Sequence, residues 1–96
     1  MIYWRLEGHK PVPCKDVIEW AKSFDNANRV VRQDTIGLTL VSTVFMAIDH
    51  SFGASRTPLL FETMVFVDSK DYDCRRTSTW DEALAAHEEV CALVEM

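Results

Sequence analysis

The sequence is poor in cysteine, glycine and proline, with three residues of each among 96. The cysteines, Cys14, Cys74 and Cys91, are too few and too widely spaced for a disulfide framework, and no CxxC pair or Cys/His run has zinc-finger spacing. An odd cysteine count without a signal peptide is typical of reduced thiols in a cytoplasm. We therefore expect no disulfide bonds and no metal.

Long apolar segments are also missing. A membrane-spanning helix needs about 20 apolar residues, and Ser42, Thr43 and Asp49 interrupt the best candidate. The N-terminal segment MIYWRLEGHK lacks the apolar region of a signal peptide. The expectation is a cytoplasmic protein without membrane association.

The short motifs of familiar enzymes are absent too. The chain has no Gly-rich phosphate loop, no GxSxG elbow, no HExxH pair and no dinucleotide-binding fingerprint. Acidic residues outnumber basic ones by 15 to 10, which gives a net charge of -5. An extensive nucleic-acid surface requires a basic patch and is not expected. The sequence indicates no cofactor, and whether the protein is an enzyme stays open.

The sequence does contain a β-rich centre. Two runs dense in Val, Leu, Ile, Phe and Thr, 38–48 and 59–67, flank a polar loop with Gly53 and Pro58. Adjacent strands of this kind most simply form an antiparallel hairpin. Alternation sorts the side chains onto two faces, with Leu40, Ser42, Val44, Met46, Ile48, Leu60, Glu62, Met64 and Phe66 on one and Val41, Thr43, Phe45, Ala47, Leu59, Phe61, Thr63 and Val65 on the other.

Both faces of this hairpin are largely apolar. A hairpin with one solvated face alternates cleanly between apolar and polar residues, and this one does not. We therefore expect both faces to be at least partly covered. Because two helices cover one face, the other face or an edge strand is predicted to mediate a homodimer or to bind a different protein.

The remaining segments predict a single α+β domain over residues 1–96, in the order β-α-β-β-β-β-α. A strand at 2–6 and an extended connector over 11–13 precede a helix at 14–26. A polar edge strand at 29–35 leads into the hairpin, and a short strand at 72–77 follows it. The result is an antiparallel sheet of four to five strands with two helices packed on one face.

The C-terminal helix has the clearest start signal in the chain. Thr79 and Glu82 form a T-x-x-E capping box. An apolar stripe follows at helical spacing, namely Trp80, Ala83, Leu84, His87, Val90, Cys91 and Val94. Together these patterns predict a core that contains Phe45, Phe61, Val65, Trp20, Phe24, Leu84 and Val90.

Asp49 and His50 lie where the first run meets its loop, a position where functional groups collect. A metal or acid–base site would add Glu62. Neighbours on a strand point to opposite faces, and in a register that pairs Asp49 with Leu59, Glu62 lies about 13 Å away along the strand. The alternative is a structural pair in which Asp49 accepts hydrogen bonds from backbone N–H groups.

Glu62 is the most unusual residue of the apolar runs. A buried carboxylate must find partners or take up a proton. One interpretation is a general base or a ligand anchor. The other is a structural ion pair, or a hydrogen bond to a hydroxyl or an indole N–H.

Two further candidates are His87 and Arg56. A lone histidine on an apolar helix stripe is more typical of a hydrogen-bonded core residue than of a ligand, and Cys91 at the i+4 position is by itself a weak zinc signal. Arg56 would suit a phosphate or an acidic partner, as would the adjacent Arg75 and Arg76.

Three phrases, VSTVFMAIDHSFG, PLLFETMVF and STWDEALAAHEEV, resemble a family of small proteins encoded in bacteriophage and prophage genomes. The resemblance covers most of the chain and implies a phage source and a location in the host cytoplasm, without assigning an activity. The chain departs from the family at positions 68–69 and 86, where glycine is usual. The family motifs include Asp49, His50, Glu62, Trp80 and His87.

Three functions follow as hypotheses. The first is a small phage-derived binding protein that acts on a host or phage protein, as a host-takeover or anti-defence factor. The second is a small metal-dependent enzyme centred on Asp49, His50 and Glu62. The third is a protein that binds a small anion or a nucleotide, at the same residues or at its loop arginines.

Overall fold

The computed structural model describes residues 3–23, 29–49, 57–68 and 70–95, with residues 23, 73 and 74 in backbone only. The elements are β1 (Tyr3–Glu7), β2 (Lys10–Cys14), α1 (Val17–Ser23), β3 (Val30–Ile36), β4 (Thr39–Phe45), β5 (Phe61–Val67), β6 (Lys70–Thr77) and α2 (Trp80–Glu95). This arrangement confirms the α+β class. Phe24, His50 and Arg56, which the sequence singled out, lie outside the described residues.

The main sheet is antiparallel, with four strands in the order β3-β4-β5-β6, and β1 and β2 form a separate two-stranded ribbon. Phe45 pairs with Phe61, so Glu62 lies opposite Val44 and not opposite Met46. The expected hairpin register was therefore wrong by two residues. Because a shift of two conserves the alternation, the side chains within β4 and β5 stay on their predicted faces. Leu60, predicted on the face opposite Phe61, instead lies in the same buried cluster as Phe61, because β5 begins only at residue 61.

The strand β2 corrects the prediction of an extended connector at Pro11 and Pro13. Leu6 pairs with Pro11 and Trp4 with Pro13, while Glu7 pairs with Lys10 at the turn. Pro11 and Pro13 are two residues apart, so both occupy the same kind of position in the ladder. β2 is an edge strand of the two-stranded ribbon, where a residue without an N–H is tolerated on the unpaired side.

The helix α2 packs across one face of the sheet and contacts all four strands. The side chains beneath it are Val41, Thr43, Phe45, Phe61, Thr63 and Val65, and all are buried as the alternation predicts. The helix α1 contacts the ribbon strands β1 and β2, because only two residues connect it to β2. Its Trp20 also packs against the cluster around Phe61. Both helices therefore contribute to the core, but α1 packs on the ribbon whereas α2 packs on the main sheet.

The predicted core is largely confirmed. Phe45, Phe61, Val65 and Val90 are buried, whereas Trp20 and Leu84 are only partly buried. On α2 the fully enclosed positions are Ala83, Ala86, His87 and Val90. Two of these four are alanines in the first half of the helix, whereas the larger Leu84 lies at the margin of the core.

The end of β4 is set by Ala47. This buried residue has a φ of 64°, in the left-handed region that alanine rarely adopts. The Trp4 N–H donates to its carbonyl at 2.8 Å, and Tyr3 pairs with Ile48. Contact with β1 therefore holds the chain in a turn just after the strand, and the predicted run to residue 48 ends as a strand at Phe45.

The predicted capping box of α2 is confirmed. The Glu82 N–H donates to Thr79 Oγ1 at 3.1 Å, and the Thr79 N–H donates to Glu82 Oε1 at 3.1 Å. Two backbone donors that the helix itself leaves without acceptors are thus satisfied reciprocally. None of the described helices has the length and apolar character that crossing a bilayer requires.

Thr79→Ala is expected to lower the free energy of unfolding by about 1 kcal/mol, because the Glu82 N–H loses its acceptor. Urea denaturation followed by circular dichroism measures this loss. Ser78→Ala is the matched control, since this neighbouring hydroxyl makes no hydrogen bond within the described chain. Equal midpoints for Thr79→Ala and wild type would show that the cap contributes nothing.

Candidate functional site

A row of four hydrogen-bonded side chains lies between α2 and the sheet. His87 Nε2 is 2.7 Å from Asp34 Oδ2, and His87 Nδ1 is 2.7 Å from Thr43 Oγ1. Thr43 Oγ1 is in turn 2.7 Å from Thr63 Oγ1. Asp34 is half-exposed, whereas the other three residues are buried. We call Asp34, His87, Thr43 and Thr63 the polar row.

Strand register brings these residues together. Thr43 and Thr63 are directly paired across β4 and β5, and their side chains share the face beneath α2. Asp34 pairs with Val41, which places it on the same face in the edge strand β3. His87 lies on the sheet-facing stripe of α2. The strands β3, β4 and β5 and the helix α2 therefore supply one residue each.

The protons of the polar row define the tautomer of His87. An ionised carboxylate only accepts, so Nε2 carries a proton and donates it to Asp34. Within the described chain, Thr43 Oγ1 is the one hydrogen-bond partner of the Thr63 hydroxyl. Thr63 therefore donates to Thr43, and Thr43 donates to Nδ1. A neutral imidazole with its proton on Nε2 gives every hydrogen an acceptor.

The exposed end of the row is charged. The hydrogen bond from His87 is the main cause that holds the pKa of Asp34 below its usual value, and Arg32 lowers it further. Arg32 Nε lies 2.9 Å from Asp34 Oδ2, and its Nη1 lies 3.6 Å from Glu88 Oε1. Asp34 is therefore ionised at neutral pH and faces both an imidazole and a guanidinium.

Cys91 lies beside this end of the row. It follows His87 by one helical turn, and donor atoms of Asp34, His87 and Cys91 all lie within 4.8 Å of one another. Burial raises the pKa of the Cys91 thiol, so the group is a neutral thiol and not an activated nucleophile at neutral pH.

The row resembles a catalytic triad in its order of hydroxyl, imidazole and carboxylate. A nucleophile must reach a substrate, however, and Thr43 is 0% exposed beneath α2. A satisfied chain of hydrogen bonds inside a core instead fixes how a helix sits on a sheet. The geometry therefore supports a structural role for Thr43 and Thr63, as predicted for His87 itself.

Asp49 has the structural role that the sequence left as an alternative. Its Oδ1 accepts the backbone N–H of Leu59 at 2.9 Å. Leu59 precedes Glu62 by three residues, about 10 Å along an extended chain, so Asp49 and Glu62 do not meet there. His50 lies outside the described residues. Of the three residues of the predicted site, the two that the structure describes, Asp49 and Glu62, are therefore not brought together.

Glu62 forms an ion pair. Its Oε2 lies 2.9 Å from Nε of Arg76, the residue paired with it across β5 and β6. The Glu62 side chain is 12% exposed and lies on the sheet face opposite α2. Leu40, Val44, Met64 and Phe66 share this face and are partly buried. Glu62 is therefore a paired structural carboxylate.

Trp80 begins α2 and connects it to the ribbon. Its ring stacks on His9 with 3.9 Å between centroids and 2° between planes, and it meets Phe61 edge-on at 6.3 Å. An open pocket of about 380 Å³ lies beside it, lined by Glu7, His9, Lys10, Pro11, Thr79, Trp80 and Asp81. Because His9 already covers the ring, Trp80 is a packing residue and not a vacant stacking platform.

A second concave surface lies between α2 and the edge strand β6. This groove of about 330 Å³ is lined by Val65, Arg75, Val90, Leu93 and Val94. Arg75 Nη1 donates to Glu89 Oε2 at 2.9 Å beside it. Leu93 is 58% exposed, which is high for a leucine that borders a core. We call these five residues the apolar groove.

Further exposed apolar side chains collect near this groove. Tyr72 is paired with Val65, and Val67 is paired with Thr39, which follows Leu38 in the β3–β4 turn. Leu38 is 90% exposed, Tyr72 53% and Val67 38%. Strand register thus places these three at the end of the sheet where α2 terminates.

The sequence did not predict the polar row as a unit or the apolar groove. His87 was the single member of the row that its pattern marked, and no spacing rule connects it to residues 34, 43 and 63. Comparison with protein-family models, curated proteins and solved structures finds no match to this chain. The relation to phage-encoded proteins therefore stays a prediction.

Proposed function

We propose that this is a small protein-binding protein whose partner docks in the apolar groove. The observation that carries the proposal is the exposed Leu93 in that groove, together with the exposed Leu38, Val67 and Tyr72 that strand register places at the same end of the sheet. Single exposed apolar residues are normal on a protein surface, whereas several of them near one concavity are typical of an interaction site.

The energetics favour occupation of the groove. Complete burial of an apolar side chain contributes about 1.5–3 kcal/mol, and Leu93 and Tyr72 each retain more than half of their exposure. The Arg75–Glu89 ion pair beside the groove adds a polar rim of the kind that surrounds interface centres. An apolar side chain of a partner, flanked by polar groups, fits these features.

The charge of the chain supports a protein as the partner rather than a nucleic acid or an anionic membrane. The chain carries a net charge of -5, and the outer surface of α2 presents Glu88, Glu89 and Glu95. These carboxylates repel the phosphates of nucleic acids and of anionic membranes. The resemblance to phage-encoded proteins supports a host or phage protein as the partner, and thus a host-takeover or anti-defence role.

Leu93→Lys is expected to abolish partner capture, because it places an ammonium group in the groove. The substitution suits the helix, since Glu89 four residues earlier forms a favourable pair with lysine. Tagged wild-type protein and the variant are compared by affinity capture from bacterial lysate with mass spectrometry. Calorimetry with the purified partner should then show at least about a tenfold loss of affinity, or 1.4 kcal/mol.

Ile18→Lys is the matched control. Ile18 is 65% exposed on α1, away from the groove, and the charge change is identical. This variant should retain the partner. If Leu93→Lys also retains it, the proposed surface is wrong. Light scattering at high concentration tests the predicted homodimer: a dimer that Leu93→Lys dissociates would identify a second copy of the chain as the occupant.

A further inference from the structure

We propose that Asp34, His87 and Cys91 form a binding site for a zinc-type divalent cation, with one coordination position open to solvent. The site lies between α2 and the edge strand β3, on the same sheet face as the apolar groove but on the other side of α2. It is independent of the proposed protein-binding function. The sequence alone shows the pair His87 and Cys91, and the fold adds Asp34 as the third donor.

The donor atoms have the spacing and chemistry that zinc requires. A carboxylate oxygen, an imidazole nitrogen and a sulfur lie within 4.8 Å of one another. Zinc binds such atoms at about 2.0–2.3 Å in a tetrahedral arrangement, so ligands stand roughly 3.3–3.8 Å apart. The 2.7 Å contact between His87 and Asp34 must widen, and Cys91 must approach. Asp34 and Cys91 are only partly buried, so their side chains have room to rotate toward these distances.

The rest of the polar row supplies the support that a metal-binding histidine needs. When Nε2 binds the ion, the imidazole proton resides on Nδ1 and is donated to Thr43 Oγ1, 2.7 Å away. A hydrogen bond from the second ring nitrogen orients almost every metal-binding histidine. Thr43 then donates to Thr63 Oγ1, which reverses the hydroxyl protons relative to the free protein and leaves the Thr63 hydrogen without an acceptor among the described residues, a cost that ion binding has to exceed. The buried threonines thus orient the ring in both states.

Protons and charges balance at this site. The Cys91 thiol releases its proton to solvent on binding, and His87 changes tautomer while it stays neutral. The thiolate and the Asp34 carboxylate together neutralise a divalent ion. Arg32, which pairs with Asp34 in the free protein, is 45% exposed and already lies 3.6 Å from Glu88, to which it can turn. Three protein ligands leave the fourth position for water, as in reactive zinc sites.

Cobalt titration of the whole protein tests the proposal. The chain is first treated with a chelator and kept reduced, then titrated with Co²⁺, whose spectrum reports its ligands. We expect one ion per chain, a thiolate-to-cobalt charge-transfer band, and displacement by Zn²⁺. Cys91→Ser should remove the band, and Asp34→Asn should weaken binding at least about tenfold. Thr43→Val should weaken it by about 10–100-fold, as loss of an orienting hydrogen bond does.

Cys14→Ser is the matched control. Cys14 is a buried thiol outside the site, and its Sγ donates to the Asp16 carbonyl, which serine can also do. This variant should keep both the band and the affinity. Absence of a thiolate band in wild type, or its persistence in Cys91→Ser, overturns the proposal. Should Cys91→Ser fail to fold by circular dichroism, Asp34→Asn decides, and unchanged affinity in that variant overturns the proposal as well.

Discussion

Replacing Phe61 with alanine is expected to lower the free energy of unfolding by about 3–5 kcal/mol. Phe61 is 0% exposed, with its ring 5.4 Å from that of Phe45 and edge-on to Trp80. It therefore joins the central hairpin to the start of α2 and to the ribbon that Trp80 contacts. Its removal leaves a cavity that three elements border, and the surrounding backbone is too constrained to fill it.

Phe66→Ala is the matched control for this prediction. Phe66 lies on the same strand, β5, but on the opposite sheet face, and is only partly buried. The same atoms are removed from a site that already contacts solvent, so the loss should be less than half as large. Urea denaturation of both variants provides the comparison. Similar losses would mean that the face beneath α2 is not the principal core.

The second large effect is expected in the polar row. His87→Leu should lower the free energy of unfolding by about 1–3 kcal/mol, because the buried Thr43 hydroxyl keeps its proton without an acceptor. Asp34 also loses the hydrogen bond that is the main cause of its lowered pKa. The half-exposed Asp34 carboxylate keeps its ion pair with Arg32 and its contact with solvent. The loss of stability therefore arises mainly from the buried Thr43 hydroxyl.

A double-mutant cycle with Thr43→Val separates this effect from simple loss of volume. Thr43→Val alone leaves the buried His87 Nδ1 without a donor and the Thr63 hydroxyl without an acceptor, whereas in the double variant only the Thr63 hydroxyl stays unpaired. The loss in the double variant should be smaller than the sum of the single losses by about 0.5–3 kcal/mol. Strictly additive losses would show that the row is not energetically coupled. Thr43→Val with Ile18→Lys, on separate elements, is the additive control.

Local patterns were sufficient for the features that depend on neighbouring residues. The capping box of α2 was predicted because its two partners, Thr79 and Glu82, are three residues apart and satisfy each other's backbone. The faces of the hairpin followed from alternation, which a strand imposes whatever its register. The wrong register did not alter them, because Val44 and Met46, the observed and the expected partner of Glu62, lie on the same face.

Other local patterns had two structural solutions. Proline at positions 11 and 13 fits an extended connector and an edge strand equally well, since both need an extended backbone without an N–H donor. Pairing with β1 distinguished them. On α2, the apolar stripe marked the correct side of the helix, but Ala83 and Ala86 are buried whereas Leu84 is only partly buried. The rotation of the helix on the sheet, which periodicity fixes only coarsely, decided this.

The candidate sites depended on tertiary structure almost entirely. Asp34 and His87 are 53 residues apart in the chain and meet at 2.7 Å. Their contact requires the register of β3 on β4, the sheet order and the rotation of α2 together. The apolar groove likewise depends on where α2 ends relative to β6. Residue type and spacing show which residues are neighbours within one helix or strand. A site between elements depends instead on how the helix and the strands are positioned relative to one another, and the sequence pattern of each element does not contain that information.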